Sequence, residues 1–255
     1  MTPAVVRLPP TDDPVVSILM VLHRGGTDAL VALAALAQHT TVAIEVIVID
    51  NASPDGSGAL VRISTAGITF VANSTNLGFG PAMNQAADLA RADVLCLLNP
   101  DLMVGPGWIS PLLELLHNTR VGAVSPVLLH RDGSIREAGS RVDAQGWTHQ
   151  VTELANRQPH RVDYASAACL LVRKRAFADV GGFDGRYRLA YFEDVDLAFS
   201  LAAAGWETWL EPTVCVQHSR TDTDADGSAQ QLSHENHTRF VDKWANELAK
   251  RSVRA

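Results

Sequence analysis

Val15-Val16-Ser17-Ile18-Leu19-Met20-Val21-Leu22 is the run that decides the fold. It is continuously apolar apart from one serine, with none of the alternation of a half-solvated strand, so it reads as a strand buried on both faces of a parallel sheet. Working outward, a helix follows with Leu30, Leu33 and Ala37 on one face and Thr27 or Asp28 as its cap. A strand at Ile44 to Ile49, a short helix at Asp55 to Ile63 and a strand at Ile68 to Ala72 come next. A helix striped with Met83, Ala86, Ala87 and Ala90 then leads to a strand at Val94 to Leu98. Strand alternating with helix predicts an α/β fold with a mostly parallel central sheet and helices on both faces. Beyond Pro100 the pattern weakens. It gives a helix at Trp108 to His117, a strand at Val121 to Val124, no clear periodicity from Arg131 to His160, and an apolar return at Ala165 to Val172. A strand at Val214 to Val216 and a terminal helix with Phe240, Val241, Trp244 and Leu248 on one side complete the chain. Residues 1–14, rich in proline, read as a disordered leader, and residues 15–255 as a single domain without internal repeats.

A chain of 255 residues, 47% hydrophobic and 19% charged, can bury a substantial core. Its net charge of -7 argues against nucleic acid as a partner, which calls for a basic surface. The one basic cluster, Arg173-Lys174-Arg175, reads as a solvated helix start, with a diphosphate or anionic lipid as the functional alternative. Cys96, Cys169 and Cys215 lie in apolar runs without disulfide or metal spacing, as buried thiols of a reducing, cytoplasmic compartment. No segment approaches the roughly 20 apolar residues needed to cross a bilayer, and the leader lacks the pattern of a signal peptide.

Polar residues gather where function is expected. Ligands of open parallel sheets bind beyond the carboxyl ends of the strands, and there stand Asp50-Asn51-Ala52-Ser53, Asn73-Ser74-Thr75-Asn76-Leu77-Gly78-Phe79-Gly80 and Asn99-Pro100-Asp101. A carboxylate and amides beside a glycine turn at a helix start can hold a nucleoside and its diphosphate. Met83 occupies the third glycine position of the dinucleotide fingerprint, which disfavours a dehydrogenase. Later, Tyr191-Phe192-Glu193-Asp194-Val195-Asp196-Leu197 places three carboxylates where an apolar helix begins. Acids at a helix start are ordinary partners of the macrodipole, yet three so close repel, and raised pKa values or a bound cation are the expected relief.

These pieces carry a resemblance. Val16-Ser17-Ile18-Leu19, Ile49-Asp50-Asn51-Ala52-Ser53, Asn76 to Gly80 with Asn84, Leu98-Asn99-Pro100-Asp101, Cys169 to Arg173, Gly181-Gly182-Phe183-Asp184, Tyr191 to Leu197 and Gly205-Trp206 together resemble the family 2 inverting glycosyltransferases of the GT-A fold, nearest to bacterial rhamnosyltransferases and related cell-envelope enzymes. The resemblance implies a GT-A-like single domain whose residues 15–130 form a nucleotide-sugar half and residues 131–255 a smaller acceptor half with the C-terminal helix. It implies that Asp50 and Asn51 meet the nucleoside, that Asn76, Gly78 and Asn84 border the donor, and that Asp101 ligates a divalent cation, Mg²⁺ or Mn²⁺, with His218 as a further ligand. Asp194 becomes the base and Glu193 orients the acceptor hydroxyl. Tyr191, Asp184, Tyr164 and Trp206 are candidates for acceptor contact. Asn99 stands where many relatives carry the first acid of a D-x-D metal motif, which weakens the expected metal affinity.

The expected activity is transfer of a sugar, rhamnose from dTDP-rhamnose, to a lipid-linked or oligosaccharide acceptor at the inner face of the cell membrane. Peripheral membrane contact and a homo-oligomer are left open. A nucleotide-sugar-binding module without turnover and a sugar nucleotidyltransferase are the alternatives, the latter supported only by the faint Leu22-His23-Arg24-Gly25-Gly26 turn. Asp222-Thr223-Asp224-Ala225-Asp226-Gly227 mimics the opening of a calcium loop, but Ser233 stands where its last, bidentate Glu is required. The segment reads instead as a lid over the donor. His234 and His237 share a helix face at metal-ligand spacing and read as exposed helix residues.

Overall fold

The computed structural model describes residues 5–218 and 228–251, so the segment read as a calcium-loop mimic and lid, Asp222 to Gly227, lies outside the described residues. Part of the expected disordered leader is structured, which corrects that reading for its described residues. Strand β1 (Val6–Arg7) pairs in parallel with Thr65–Ala66, and Leu8 is buried in the main core. The apolar Val6 and Leu8 tie this stretch to the core despite the prolines around it.

Strand β2 (Val16–Leu22) is buried throughout, and its two faces feed two cores. Val16, Ile18, Met20 and Leu22 pack in one cluster with Ala29, Leu33 and Leu36 of helix α1 (Gly26–His39). Leu19 and Val21 pack in the other, with Ile47 and Ile49 of strand β3 (Ile44–Asp50). That is why the run cannot alternate with polar residues. Its serine is satisfied: Ser17 Oγ donates to Glu45 Oε1 at 2.6 Å and accepts from the Ala92 N–H at 3.1 Å.

Helix α2 (Ser57–Ser64), strands β4 (Thr65–Ala66) and β5 (Thr69–Ala72), helix α3 (Phe79–Leu89) and strand β6 (Val94–Leu98) complete the regular half. The α3 stripe Ala82, Met83, Ala86 and Ala87 covers the second core. Strands β7 (Leu102–Met103) and β8 (Val121–Leu129) flank a helix shorter than expected, α4 (Ser110–Leu115). Trp108 is buried ahead of it with Nε1 bonded to Thr40 Oγ1. The stretch without periodicity holds four short strands, β9 (Ile135–Glu137), β10 (Ser140–Val142), β11 (Thr148–Gln150) and β12 (His160–Arg161). Strand β13 (Cys169–Arg173), helices α5 (Lys174–Asp179) and α6 (Glu193–Ala203), strand β14 (Glu207–His218) and helix α7 (Ser228–Arg251) follow.

Among the described residues the main sheet runs β12-β14-β8-β13-β6-β2-β3-β5. It is parallel from β6 through β5, as the alternation predicts, and β14 is parallel to β8. Strand β13 lies antiparallel between β6 and β8, an insertion no local pattern announces. The end of β14 pairs with β7, setting His218 opposite Leu102. This pairing brings two residues far apart in sequence, Asp101 and His218, together.

Two smaller expectations are corrected. Cys215 is exposed, unlike Cys96 and Cys169. In the basic cluster, Arg173 donates to the carbonyls of Leu116, Asn118 and Val121, and Lys174 to that of Ala90, so both tie strand ends together.

Candidate active site

The turns after β2, β3 and α3's approach enclose a chamber of about 480 Å³ lined by His23, Arg24, Gly25, Asn51, Asn76 and Asp101, among others. A second chamber of about 410 Å³ is lined by Asp101, Glu137, Tyr164, Tyr191, Glu193, Asp194 and His218. Phe79, Asn99, Asp101 and Ala190 belong to both walls, so the two chambers meet at Asp101. The acid starting α6 and the acid after β6 therefore face one cleft.

The first wall is set by Asn51, which is buried. Its amide donates to Asn76 Oδ1 at 2.8 Å and to the Gly78 carbonyl, and its Oδ1 accepts from Asn73 Nδ2 and the Leu77 N–H. One side chain thus holds the whole Asn73 to Gly78 turn. Gly78 adopts φ +89, and a Cβ there would stand 3.0 Å from the Leu189 backbone nitrogen, so only glycine lets the turn approach the loop before α6. Asp50 sits behind this wall. Its Oδ1 accepts from the Ser53 N–H, and its Oδ2 packs where a Cβ on Gly58 would be.

The loop before α6 is strained. Leu189, Tyr191 and Phe192 all have positive φ, of 59°, 77° and 68°, each costing on the order of 1 kcal/mol or more for a residue with a side chain. Asn236 on α7, fully buried, holds the loop by donating from Nδ2 to the carbonyls of Arg188, Ala190 and Tyr191 at 3.1, 2.8 and 3.0 Å. The Phe79 N–H holds it from the other side, through the Leu189 carbonyl at 2.7 Å.

Successive helix positions turn by about 100°, so the three acids of α6 part company. Asp194 faces the cleft. Its Oδ2 accepts from the Ala167 N–H at 3.3 Å, and burial raises its pKa against the pull of the Ala167 and Val195 amides. Glu193 is buried with Oε2 unpartnered, and desolvation followed by the Asp194 charge pushes its carboxyl far above the usual range. Asp196 turns away from the cleft to accept from Tyr187 Oη at 2.9 Å, Lys243 Nζ at 2.8 Å and Trp244 Nε1 at 2.7 Å.

Tyr164 and Tyr191 line the cleft. The Tyr164 hydroxyl is pushed up by burial, then by Asp194, Glu137 and Glu193. Three other expected contacts are placed elsewhere. Asp184 pairs with Arg186 and Lys243, at 2.8 and 2.9 Å, and lines neither chamber. Trp206 packs against Gly122 and the second core, its Nε1 on Asp179. Asn84 clamps the Phe183 backbone, donating to its carbonyl at 2.8 Å and accepting from its N–H at 2.9 Å. Each is taken up by packing between elements, which local motifs do not reveal. His237 stacks on Trp147 at 3.6 Å and His234 bonds the Gln230 carbonyl.

Asp101 Oδ2 and His218 Nδ1 stand 3.2 Å apart. Among the described residues no group of three His, Cys, Asp or Glu has metal-site geometry. A carboxylate and an imidazole at the junction of two chambers still fit a divalent cation whose remaining positions are filled by phosphate oxygens and water, the usual arrangement for hard cations on nucleotides. Sequence reading missed Glu137 and Asn236, and took the His23 to Gly25 turn only as faint support for a nucleotidyltransferase. Glu137 lies in the aperiodic stretch and Asn236 on an ordinary polar helix, and neither carries a local signal.

A mixed sheet flanked by helices, with its cleft at the strand ends, defines the GT-A class of glycosyltransferase fold, and solved structures agree. The chain superposes on GalNAc-T7 with UDP, GalNAc and Mn²⁺ with a TM-score of 0.76 at 16% identity, over 93% of this chain and 49% of that one. For a mannosyltransferase from Pyrobaculum calidifontis with GDP-Man and Mn²⁺ the TM-score is 0.66 at 18% identity, over 94% and 66%. The family model for glycosyl transferase family 2 matches residues 17–181, and the chain belongs to that family. It is 28% identical to the N-acetylglucosaminyl-diphospho-decaprenol L-rhamnosyltransferase of Mycobacterium tuberculosis, over 89% of this chain and 83% of that protein. A pre-mycofactocin glycosyltransferase of the same species is 32% identical over 54% of this chain and 30% of its own length.

Proposed function

We propose that the protein is an inverting glycosyltransferase that moves rhamnose from dTDP-rhamnose to the sugar of a lipid-linked diphosphate acceptor in bacterial cell-envelope synthesis. One spatial relation carries the reading: Asp194, its pKa raised by burial, opens on the same cleft as the Asp101 and His218 pair. The sugar and acceptor follow the mycobacterial relative, whose name couples L-rhamnosyl transfer with N-acetylglucosaminyl-diphospho-decaprenol.

The nucleoside is assigned to the chamber shaped by Asn51, Asn76 and Gly78, with His23 and Arg24 beside it. Its diphosphate is directed to the junction at Asp101, and the acceptor lies beside Tyr191 and Tyr164. A sugar hydroxyl is a poor nucleophile, so Asp194 takes its proton as the oxygen bonds to the anomeric carbon, a contribution of about a hundredfold or more. The bond to the diphosphate breaks on the opposite face, and the anomeric centre inverts. Asp101 and His218 would hold a divalent cation, Mn²⁺ being the better match to imidazole, and when bound it would stabilise the charge on the departing diphosphate. Glu193, its unpartnered Oε2 in the same chamber, orients the incoming hydroxyl.

Among the described residues no helix is long and apolar enough to cross a membrane. We place the protein in the cytoplasm, in peripheral contact with the inner face of the membrane that holds the acceptor lipid. In a thermal-shift panel of nucleotide sugars with Mn²⁺, dTDP-rhamnose is expected to stabilise most, by about 2.7 kcal/mol at a hundred times its Kd. Preference for another donor overturns the rhamnose assignment. Asn99 in place of an acid favours a second reading, a binding module; donor binding without transfer or hydrolysis under any divalent cation identifies it. Asp101→Ala is expected to raise the Mn²⁺ concentration for half-maximal activity about tenfold or more. An unchanged metal response removes Asp101 from the coordination shell.

A further inference from the structure

Glu137 ends β9 inside the second chamber, on the side facing Asp194, and is only 3% exposed. Its Oε1 accepts from the Ser166 N–H at 2.9 Å and its Oε2 from Gln150 Nε2 at 3.4 Å. The next amide along the chain, that of Ala167, is the one that holds Asp194. Consecutive amides of one segment therefore present two carboxyl groups to the same cavity, one from the acceptor-side strands and one from α6. We infer that Glu137 is a second acceptor-contacting group, which with Gln150 binds the ring hydroxyl next to the attacking one and so selects which hydroxyl of a vicinal pair reaches Asp194.

A purely structural tie to the Ser166 amide would be made better by a neutral side chain. An acid buried beside other acids is costly unless its proton is used. The titratable or charged groups sharing its surroundings are Asp194 and Glu193 on α6, Tyr191 just ahead of it, Tyr164 ahead of β13, Arg136 on its own strand, and Asp101 and His218 across the chamber. Burial, opposed by the Ser166 amide and reinforced by the Asp194 charge, pushes its carboxyl up to about 7. So raised, Glu137 can hold a proton with which to donate to a sugar oxygen while its other oxygen accepts. The pair is a base and a hydrogen-bonding acid held a fixed distance apart, suited to adjacent hydroxyls of one pyranose.

The inference rests on Asp194 acting as the base of a transfer reaction. The test uses the full-length protein with dTDP-rhamnose as donor and a short-chain prenyl diphosphate N-acetylglucosamine as acceptor. Glu137→Met, which keeps the side chain's length but neither donates nor accepts, is expected to raise the acceptor KM about tenfold, the loss of one good hydrogen bond, with donor Kd unchanged. The decline in kcat/KM above about pH 7, where Glu137 ionises in the parent protein, should vanish in the variant. Gln150→Ala, at an exposed position that tolerates truncation, should raise the acceptor KM in the same direction while keeping the alkaline decline. Acceptor KM unchanged in both variants, or donor Kd weakened as much as acceptor KM, overturns the inference while leaving the proposed function standing. A parent protein that binds no nucleotide sugar and transfers none overturns both.

Discussion

Asp194→Asn is expected to lower sugar transfer by about a hundredfold to ten-thousandfold, the contribution of a positioned general base, while donor Kd is retained. Asparagine keeps an oxygen for the Ala167 N–H, so the cleft should not collapse. The same change should raise thermal stability. Burial raises the Asp194 pKa in the folded state. A raised acid favours folding fully only below its unfolded value near 4, and that contribution is lost as pH climbs through the folded value. Once ionised, the buried carboxylate therefore works against the fold, and an amide relieves it. Single-turnover rates, donor titration calorimetry and thermal melts at pH 7 and pH 5 check the prediction. The stabilisation should shrink at the lower pH. Transfer persisting within about tenfold of the parent rate would remove Asp194 as the base.

Asp196→Ala, two positions further on, should produce the opposite result. Asp196 is 1% exposed and gathers Tyr187 Oη, Lys243 Nζ and Trp244 Nε1. Burial and the Asp196 charge push the Tyr187 phenol up, so that it stays a donor. Truncation strands Trp244 Nε1 and Tyr187 Oη and leaves Lys243 with Asp184 alone. The expected loss is about 3–5 kcal/mol, as for breaking one side of a buried ion pair. Because the same contacts fasten α7 to α6, and α7 carries Asn236, the strained loop at Leu189 to Phe192 should loosen with it. Equilibrium urea unfolding gives the stability, and amide exchange at Ala190 to Asp194 gives the loop. A loss under about 1 kcal/mol would mean that α7 is held by its apolar face alone.

The contrast between these two substitutions marks how far the sequence reaches. Glu193, Asp194 and Asp196 are indistinguishable as acids at a helix start, and their separate fates depend on what lies across from each face of α6. The Asp101 and His218 pair was legible as two candidates, but its geometry comes from the register of β14 against β7. Asp184, Trp206 and Asn84 belong to motifs that are genuinely present, yet their side chains fasten loops, because a motif's backbone can be required without every side chain in it reaching the cleft. Glu137 and Asn236 act through contacts with segments 29 and 48 residues away, so no window of sequence contains their partners.

By itself the sequence determined the alternating α/β frame, the placement of polar turns at the strand ends and the family, because buried strands, amphipathic helices and glycine turns obey local periodicity and backbone rules. Only the tertiary structure decided that Asp196 turns away from the cleft, that Gly78 must let one turn touch the strained loop, and that a buried asparagine on the last helix holds that loop. Those outcomes depend on desolvation and on hydrogen bonds between distant segments, which exist only once the chain has closed on itself.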